Sequence, residues 1–259
     1  MIEIDLIRHV KVAGKPALYG RTDVQPIVTE NVHLLERLVA QQKTSKAYQC
    51  IISSPLIRCQ HLAKEFSHHC EIPLEISLGL QEMNFGCFDG VPFDDIPFGD
   101  EPSIATGISD INDQRIELHW SQLEAFFQAP AEIMLPNAEA LADFHHRVIK
   151  TWQELIAQHI VISSDKKALK IPQRILVIAH GGVIRMILAH ILQLDWQQAS
   201  WHQKLQIGHG SLTRINISQP YQDINSSQQQ TLPDQYSRQA AQQLHQQVMC
   251  IAMPLLEGF

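Results

Sequence analysis

Three short stretches of this chain combine cationic and imidazole side chains: Arg8-His9, Ser53-Ser54-Pro55-Leu56-Ile57-Arg58 and His180-Gly181-Gly182-Val183-Ile184-Arg185. Each follows an apolar run of strand character: Ile2 to Ile7, Cys50 to Ile52 and Ile175 to Ala179. In an open α/β sheet the binding crevice lies beyond the carboxyl ends of the strands, so the three stretches are predicted to meet in space. Meeting there, they place Arg8, Arg58, His9 and His180 in one pocket. Guanidinium forks match the oxygens of an anion, and an imidazole can attack or move a proton near neutral pH. A fourth stretch, Leu80 to Gly90, adds Glu82, a carboxyl set among apolar neighbours and a candidate general acid or base. Any one of these pieces is commonplace. Their recurrence at equivalent strand ends is what points to a site.

The elements that must position these groups are legible in the hydrophobic pattern. Apolar strands alternate with segments of helical period, which is the pattern of an α/β fold with a mostly parallel central sheet. Helical spacing appears at Val32, Leu35, Leu38 and Val39, again at Leu62, Ala63 and Phe66, and over Leu141, Phe144, Val148, Trp152, Leu155, Ile156 and Ile160. Asn137 is the expected N-cap of this last helix, with Glu139 in its first turn. Val183 to Leu192 reads as a helix, and Leu205 to Ile207 with Leu212 to Ile217 as a closing strand or hairpin. The expected domain spans residues 1–218. A cap or insertion at about 91–136 holds an amphipathic piece around Leu118 to Phe127. The glutamine-rich segment 219–259 is expected to be a tail, a mobile loop with a peripheral helix.

Composition narrows the partners. At 259 residues and 45% hydrophobic content the chain can bury a full core. A net charge of -7 disfavours nucleic acid or an anionic membrane as the main partner, so an anion has to be held by a local cluster. The most apolar stretch, Ile175 to Leu194, carries His180, Arg185 and His190 and is no membrane span. Five cysteines without CxxC spacing indicate neither a disulfide framework nor a zinc knuckle, and no HExxH occurs among the 14 histidines. His68-His69 and His145-His146 are read as surface histidines. No metal or cofactor is expected, and the start of the chain, without a secretory signal pattern, is read as cytoplasmic.

With their order along the chain, Arg8-His9, Ser54-Pro55-Leu56-Ile57-Arg58, Glu82 to Gly90 and His180 to Arg185 resemble the signatures of the histidine phosphatases, the phosphoglycerate-mutase-like superfamily. The resemblance runs from residue 2 to about residue 217 and implies a three-layer α/β/α sandwich. It also implies that His9 is a nucleophile phosphorylated in turnover, that Arg8, Arg58 and His180 surround the phosphoryl group, and that Glu82 is the proton donor. A transferring phosphoryl group spreads negative charge over three oxygens, so positioned cations serve it directly. Two guanidiniums and a protonated His180 are expected to supply them. Within the family, Tyr19-Gly20-Arg21-Thr22-Asp23-Val24 and Ser53 to Cys59 are most similar to the phosphatases of α-ribazole 5'-phosphate, which act in cobalamin assembly. The chain departs from the usual pattern at Val10, where glycine is common, and at Asn137-Ala138, where Gly-Gly is common.

A small phosphomonoester is therefore the expected substrate, with Arg21 and Lys11 as further candidate contacts. Phosphoglycerate mutase and broad small-molecule phosphatase are the alternatives, and a silent phospho-ligand or protein-binding module is the reading from another class. Arg115 is the one basic residue of the Gly90–Pro136 segment, against Asp95, Asp100, Glu101, Asp110 and Asp113, which favours hydrolysis over mutase chemistry. Phe93, Phe98, Trp120, Phe126 and Phe127 could face a nucleoside-like base or pack in the core. Oligomeric state is left open by the sequence.

Overall fold

A computed structural model describes residues 1–44, 47–98, 118–162, 173–218 and 244–255, with side chains of 160–162 excepted. In chain order the elements are β1 (Ile2–Arg8), α1 (Val28–Gln42), β2 (Cys50–Ser53), α2 (Ile57–Cys70), β3 (Leu74–Ile76), α3 (Trp120–Gln128), α4 (Leu141–Ile162), β4 (Gln173–Ala179), α5 (Gly181–Ile191), α6 (Ala199–Lys204), β5 (Ser211–Ser218) and β6 (His245–Pro254). The strands form one sheet in the order β3-β2-β4-β1-β5-β6. β1, β2, β3 and β4 run parallel, while β5 runs antiparallel to β1 and β6 antiparallel to β5.

The central strands β1 and β4 read as largely apolar runs, Glu3 and Asp5 apart over residues 2–7 and 175–179, because both of their faces are covered. Ile2, Ile4 and Leu6 of β1 and Ile175, Val177 and Ala179 of β4 pack on one side with Phe144, Trp152 and Ile187. Ile7, Leu176 and Ile178 pack on the other with Leu34, Leu38, Leu62 and Phe66. Helices α1 and α2 thus lie on one face and α3, α4 and α5 on the opposite one, giving the three layers. Beneath the sheet, Asp5 is fully buried. It accepts hydrogen bonds from Tyr48 Oη at 2.6 Å, Arg174 Nη2 at 2.9 Å and Arg214 Nε at 2.7 Å, tying β1 to both neighbouring strands. Removing any one of these partners leaves Asp5 paired with an arginine, so the loss is that of a hydrogen bond to a charged group, about 1.5–3 kcal/mol.

Four expectations change. Residues 245–254 are no detached tail: β6 continues the sheet, and its Val248 and Ala252 pack against the core. Glutamine content concealed an alternating strand pattern, since Gln246 and Gln247 point to different sides. The expected peripheral helix otherwise falls on 219–243, outside the described residues. Leu205 to Ile207 forms no strand, so Ser211–Ser218 is a closing strand rather than half of a hairpin with it. Asn137 is not an N-cap: it takes a left-handed conformation (φ 58°) and α4 begins only at Leu141. Its amide donates to Cys87 Sγ at 3.4 Å, and Glu139 turns away to Arg147. Finally, β3 was not read from the sequence, being three residues long and partly exposed. Of the cap, residues 99–117 lie outside the described set. The amphipathic piece is α3, with Leu123 and Phe126 buried.

Candidate active site

The carboxyl ends of β1, β2 and β4 deliver their side chains to one crevice. His9 directly follows β1 and is 6% exposed. Its Nδ1 lies 2.6 Å from the carbonyl oxygen of Val10. A carbonyl accepts only from a nitrogen that carries hydrogen, so Nδ1 is protonated and Nε2 bears the free lone pair. Burial, reinforced by Arg58 and Arg8, holds the His9 pKa well below the usual 6.5, which keeps the ring neutral. The His180 ring stands against it, centroid to centroid at 5.2 Å.

Arg8 extends over the first turn of α5, where an added Cβ on Gly181 would meet its Cζ at 3.3 Å. Its Nη1 donates to the carbonyl of Ile207 at 2.5 Å, while its buried Nε has no partner among the described residues. A buried N–H without an acceptor is costly, and this one sits where an anion would satisfy it. Burial lowers the Arg8 pKa to about 10, opposed by the charge of Glu82 and helped by Arg185 and Arg58.

Arg58, 1% exposed, enters from the first turn of α2. That turn is fixed from outside the helix, because Asp23 Oδ1 accepts the Ile57 N–H at 2.7 Å. Arg58 Nε donates to His180 Nδ1 at 3.3 Å, and its terminal nitrogens donate to the carbonyls of Tyr19, Gly20 and Thr22 at 2.8–2.9 Å. The same loop is gripped from its N–H side by Asp89. Its carboxylate accepts from Gly20, Arg21 and Thr22 at 3.1, 2.7 and 2.9 Å, and from Phe85 at 3.2 Å. A guanidinium on the carbonyls and a carboxylate on the amides together order residues 19–22.

His180 is fully buried and immediately precedes α5. The expectation that it is protonated is corrected here. Its Nδ1 accepts from Arg58, so its Nε2–H donates to Ser54 Oγ at 2.7 Å. Burial first, then Arg58, His9 and Arg8, drives its pKa well below 6.5. The positive charge of the crevice therefore comes from the two arginines. Cys59 beside them is a buried filler whose thiol is pushed up to about 12 by burial.

Glu82 completes the cluster. Its Oε2 accepts the N–H of Gly182 at the start of α5 at 3.0 Å, and Oε1 that of Met83 at 3.0 Å. An added Cβ on Gly182 would stand 2.3 Å from Oε1, which explains the second glycine of His180-Gly181-Gly182. Arg147 of α4 holds the approach to Glu82: it donates to the carbonyls of Gly79, Gln81 and Glu82 at 2.8–3.1 Å and pairs with Glu139 at 2.6 Å. Beyond Glu82 opens a pocket of about 360 Å³. Phe85, Phe126, Phe127 and Phe144 line it, with Arg185 and His202 as polar members. Of the aromatics considered from sequence, Phe126 and Phe127 reach this pocket. Phe93, Phe98 and Trp120 pack on one another instead, at centroid distances of 4.7–5.8 Å.

The structure thus gathers Arg8, His9, Arg58, Glu82 and His180. It leaves Arg21 exposed on the 19–22 loop, and turns Lys11 to Glu30 at 3.7 Å beside a separate polar bay. Arg185 donates its Nε–H to the Leu205 carbonyl at 3.0 Å. His145, read as a surface group, is half-buried and stacks on Trp196 at 4.3 Å. Sequence reasoning missed Asp89, Arg147 and His209. Asp89 lies inside the Glu82–Gly90 stretch, and the other two carry no local signal. Among the described residues, no group of three or more metal-binding side chains converges.

A model of the family described as "Histidine phosphatase superfamily (branch 1)" matches residues 4–103 and 108–229. A curated relative from Hydrogenobacter thermophilus, named "Putative phosphoserine phosphatase 2", is 24% identical over 226 residues, spanning 84% of this chain and 90% of its own length. Among solved structures, the mycobacterial glucosyl-3-phosphoglycerate phosphatase superposes with a TM-score of 0.66 at 16% identity, covering 98% of this chain and 100% of that one. The α-ribazole phosphatase from Shigella flexneri superposes with a TM-score of 0.61 at 18% identity, covering 84% and 92%. Those two likenesses carry the fold.

Proposed function

Because the chain belongs to the histidine phosphatase superfamily and is a phosphatase, we propose that it hydrolyses a phosphomonoester through a phosphohistidine at His9 without a metal ion. The observation that carries this reading is the His9 tautomer: with Nδ1–H donated to Val10, the lone pair of Nε2 is free for phosphorus. Nε2 attacks, the bond from phosphorus to the ester oxygen breaks, and Glu82 in its acid form gives that oxygen a proton. Glu82 then takes a proton from water, the hydroxide forms a P–O bond, the N–P bond breaks, and neutral His9 returns with inorganic phosphate. Arg8 holds the phosphoryl oxygens through the Nε that has no partner among the described residues, and Arg58, with four of its five N–H groups on His180 and the carbonyls of Tyr19, Gly20 and Thr22, adds its charge and the remaining N–H.

The finer reading is α-ribazole 5'-phosphate. Its flat apolar base suits a 360 Å³ pocket walled by four phenylalanines next to Glu82. Phosphoserine would bring an ammonium and a carboxylate against those rings. A 3-phosphoglycerate has no flat apolar group for those rings, and of Arg185 the terminal N–H groups would have to meet its carboxylate, since Nε is bound to the Leu205 carbonyl.

A panel of α-ribazole 5'-phosphate, ordinary nucleotides, phosphoserine and 3-phosphoglycerate tests the substrate, with α-ribazole 5'-phosphate expected to give the highest kcat/KM. EDTA is expected to leave the rate unchanged and His9→Ala to abolish it. Loss of activity on chelation, with recovery on adding magnesium, would overturn the metal-free mechanism. A preference for phosphoserine would overturn the substrate.

A further inference from the structure

The turn Ile207-Gly208-His209-Gly210, between α6 and β5, closes on the two residues that end β1. The carbonyl of Ile207 takes Arg8 Nη1. The N–H of Gly210 is shared between the carbonyls of Arg8 and His9 at 3.1 and 3.3 Å, from a left-handed conformation at φ 64° that favours glycine. His209 makes the third contact: its Nδ1 lies 3.2 Å from the carbonyl oxygen of His9. Its ring stands 5.2 Å from the His9 ring, the same spacing as His180.

We propose that His209 is a positioning residue for the nucleophile, holding the His9 main chain, and through it the His9 imidazole, by an Nδ1–H hydrogen bond to the His9 carbonyl. The proposal rests on His9 being the nucleophile. The hydrogen bond that orients the His9 ring is to its own main chain, since its Nδ1 bonds to the carbonyl of the very next residue. A shift of the peptide that follows His9 therefore moves both the carbonyl that fixes the tautomer and the direction of Nε2. Two donors on the His9 carbonyl, His209 Nδ1 and Gly210 N, oppose that shift. His209 is also one wall of the polar bay of about 470 Å³ that holds Lys11, Glu30 and His33. The ring is thus packed between that bay and the nucleophile, and its partner on the site side is His9. Near neutral pH it is an uncharged donor, because burial and then Arg8 lower its pKa to about 4.

The hydrogen bond and the ring can be tested separately. In asparagine, Nδ2 occupies the place that Nδ1 has in histidine, so His209→Asn keeps a donor without the ring. His209→Phe keeps a ring without the donor. The phosphorylation rate of His9 is read as the burst of p-nitrophenolate from p-nitrophenyl phosphate, alongside trapping of the acid-labile adduct, KM and Tm. His209→Ala and His209→Phe are expected to phosphorylate about tenfold more slowly, about 1.4 kcal/mol of barrier, with KM within about threefold. His209→Asn is expected to recover most of the rate. A rate in His209→Phe equal to wild type, or a loss in His209→Asn equal to that in His209→Ala, would overturn the role. Wild-type protein that forms no adduct on His9 would overturn the reading of the nucleophile itself.

Discussion

The contact between Gly182 and Glu82 offers the sharpest test of the site, because it separates chemistry from stability. Replacing Gly182 by alanine places a Cβ 2.3 Å from Glu82 Oε1 and 3.0 Å from Cδ. The backbone of α5 is fixed by β4 and the core, whereas the carboxyl is the end of a flexible side chain, so Glu82 is the group that yields. It must retreat by about 1 Å to reach ordinary contact, and a displacement of that size at a reacting group costs roughly 10²-fold. The retreat also stretches the 3.0 Å bond from the Gly182 N–H to Oε2. General acid catalysis contributes about 10²–10⁴-fold, so a loss near the lower end is expected for an alkyl phosphate. p-Nitrophenolate leaves without a proton, and kcat/KM for p-nitrophenyl phosphate should fall by no more than about threefold. Stability should move the other way. Gly182 lies in α5 with no positive φ, and alanine is better than glycine in a helix by about 1 kcal/mol. Gly181→Ala is the milder control, since its Cβ would meet Arg8 Cζ at 3.3 Å. Steady-state kinetics on both substrates with thermal unfolding decides the matter. Equal losses on the alkyl and aryl esters, or no loss on either, would refute the assignment of Glu82 as the acid.

Arg147→Met removes the donors to Gly79, Gln81 and Glu82 and the Glu139 pair. Urea unfolding should show a loss of about 2 kcal/mol, and kcat on alkyl phosphates should fall while KM holds. Asp89→Asn leaves an NH2 facing backbone N–H donors of the 19–22 loop, so KM should rise about tenfold, with about 2 kcal/mol lost in unfolding. The buried histidines make the fold acid-sensitive. His9 and His180 have native pKa values well below 6.5, so the unfolded chain takes up protons that the native one refuses as pH falls through 6.5. Their full contribution is present above that pH, and about 2–3 kcal/mol should be lost between pH 7 and 5.5. Urea unfolding at the two pH values measures it, and an unchanged free energy would show that these rings protonate in the native state.

Much of this protein was written in its linear pattern. Ile2 to Ile7 and Ile175 to Ala179 are apolar on every residue save Glu3 and Asp5, which only a strand covered on both faces requires, and that marks where a crevice opens. The side chains just past those runs, Arg8, His9 and His180, were identifiable because chain order fixes which residue follows a strand. Tertiary structure alone decided what those groups are. That His180 is neutral depends on Arg58, from 122 residues away, donating to its Nδ1 at a fully buried position. Arg147, Asp89 and His209 come from elements whose own sequence is ordinary, and they matter only through the carbonyls and amides they reach across the fold. Residues 245–254 show the same division. Their glutamines suggested a solvated tail, but hydrogen bonding to β5 is a property of the neighbouring strand, and no local composition encodes it. Periodicity reports which face of an element is buried. Charge state and orientation depend on who stands opposite, and that is settled only when distant segments meet.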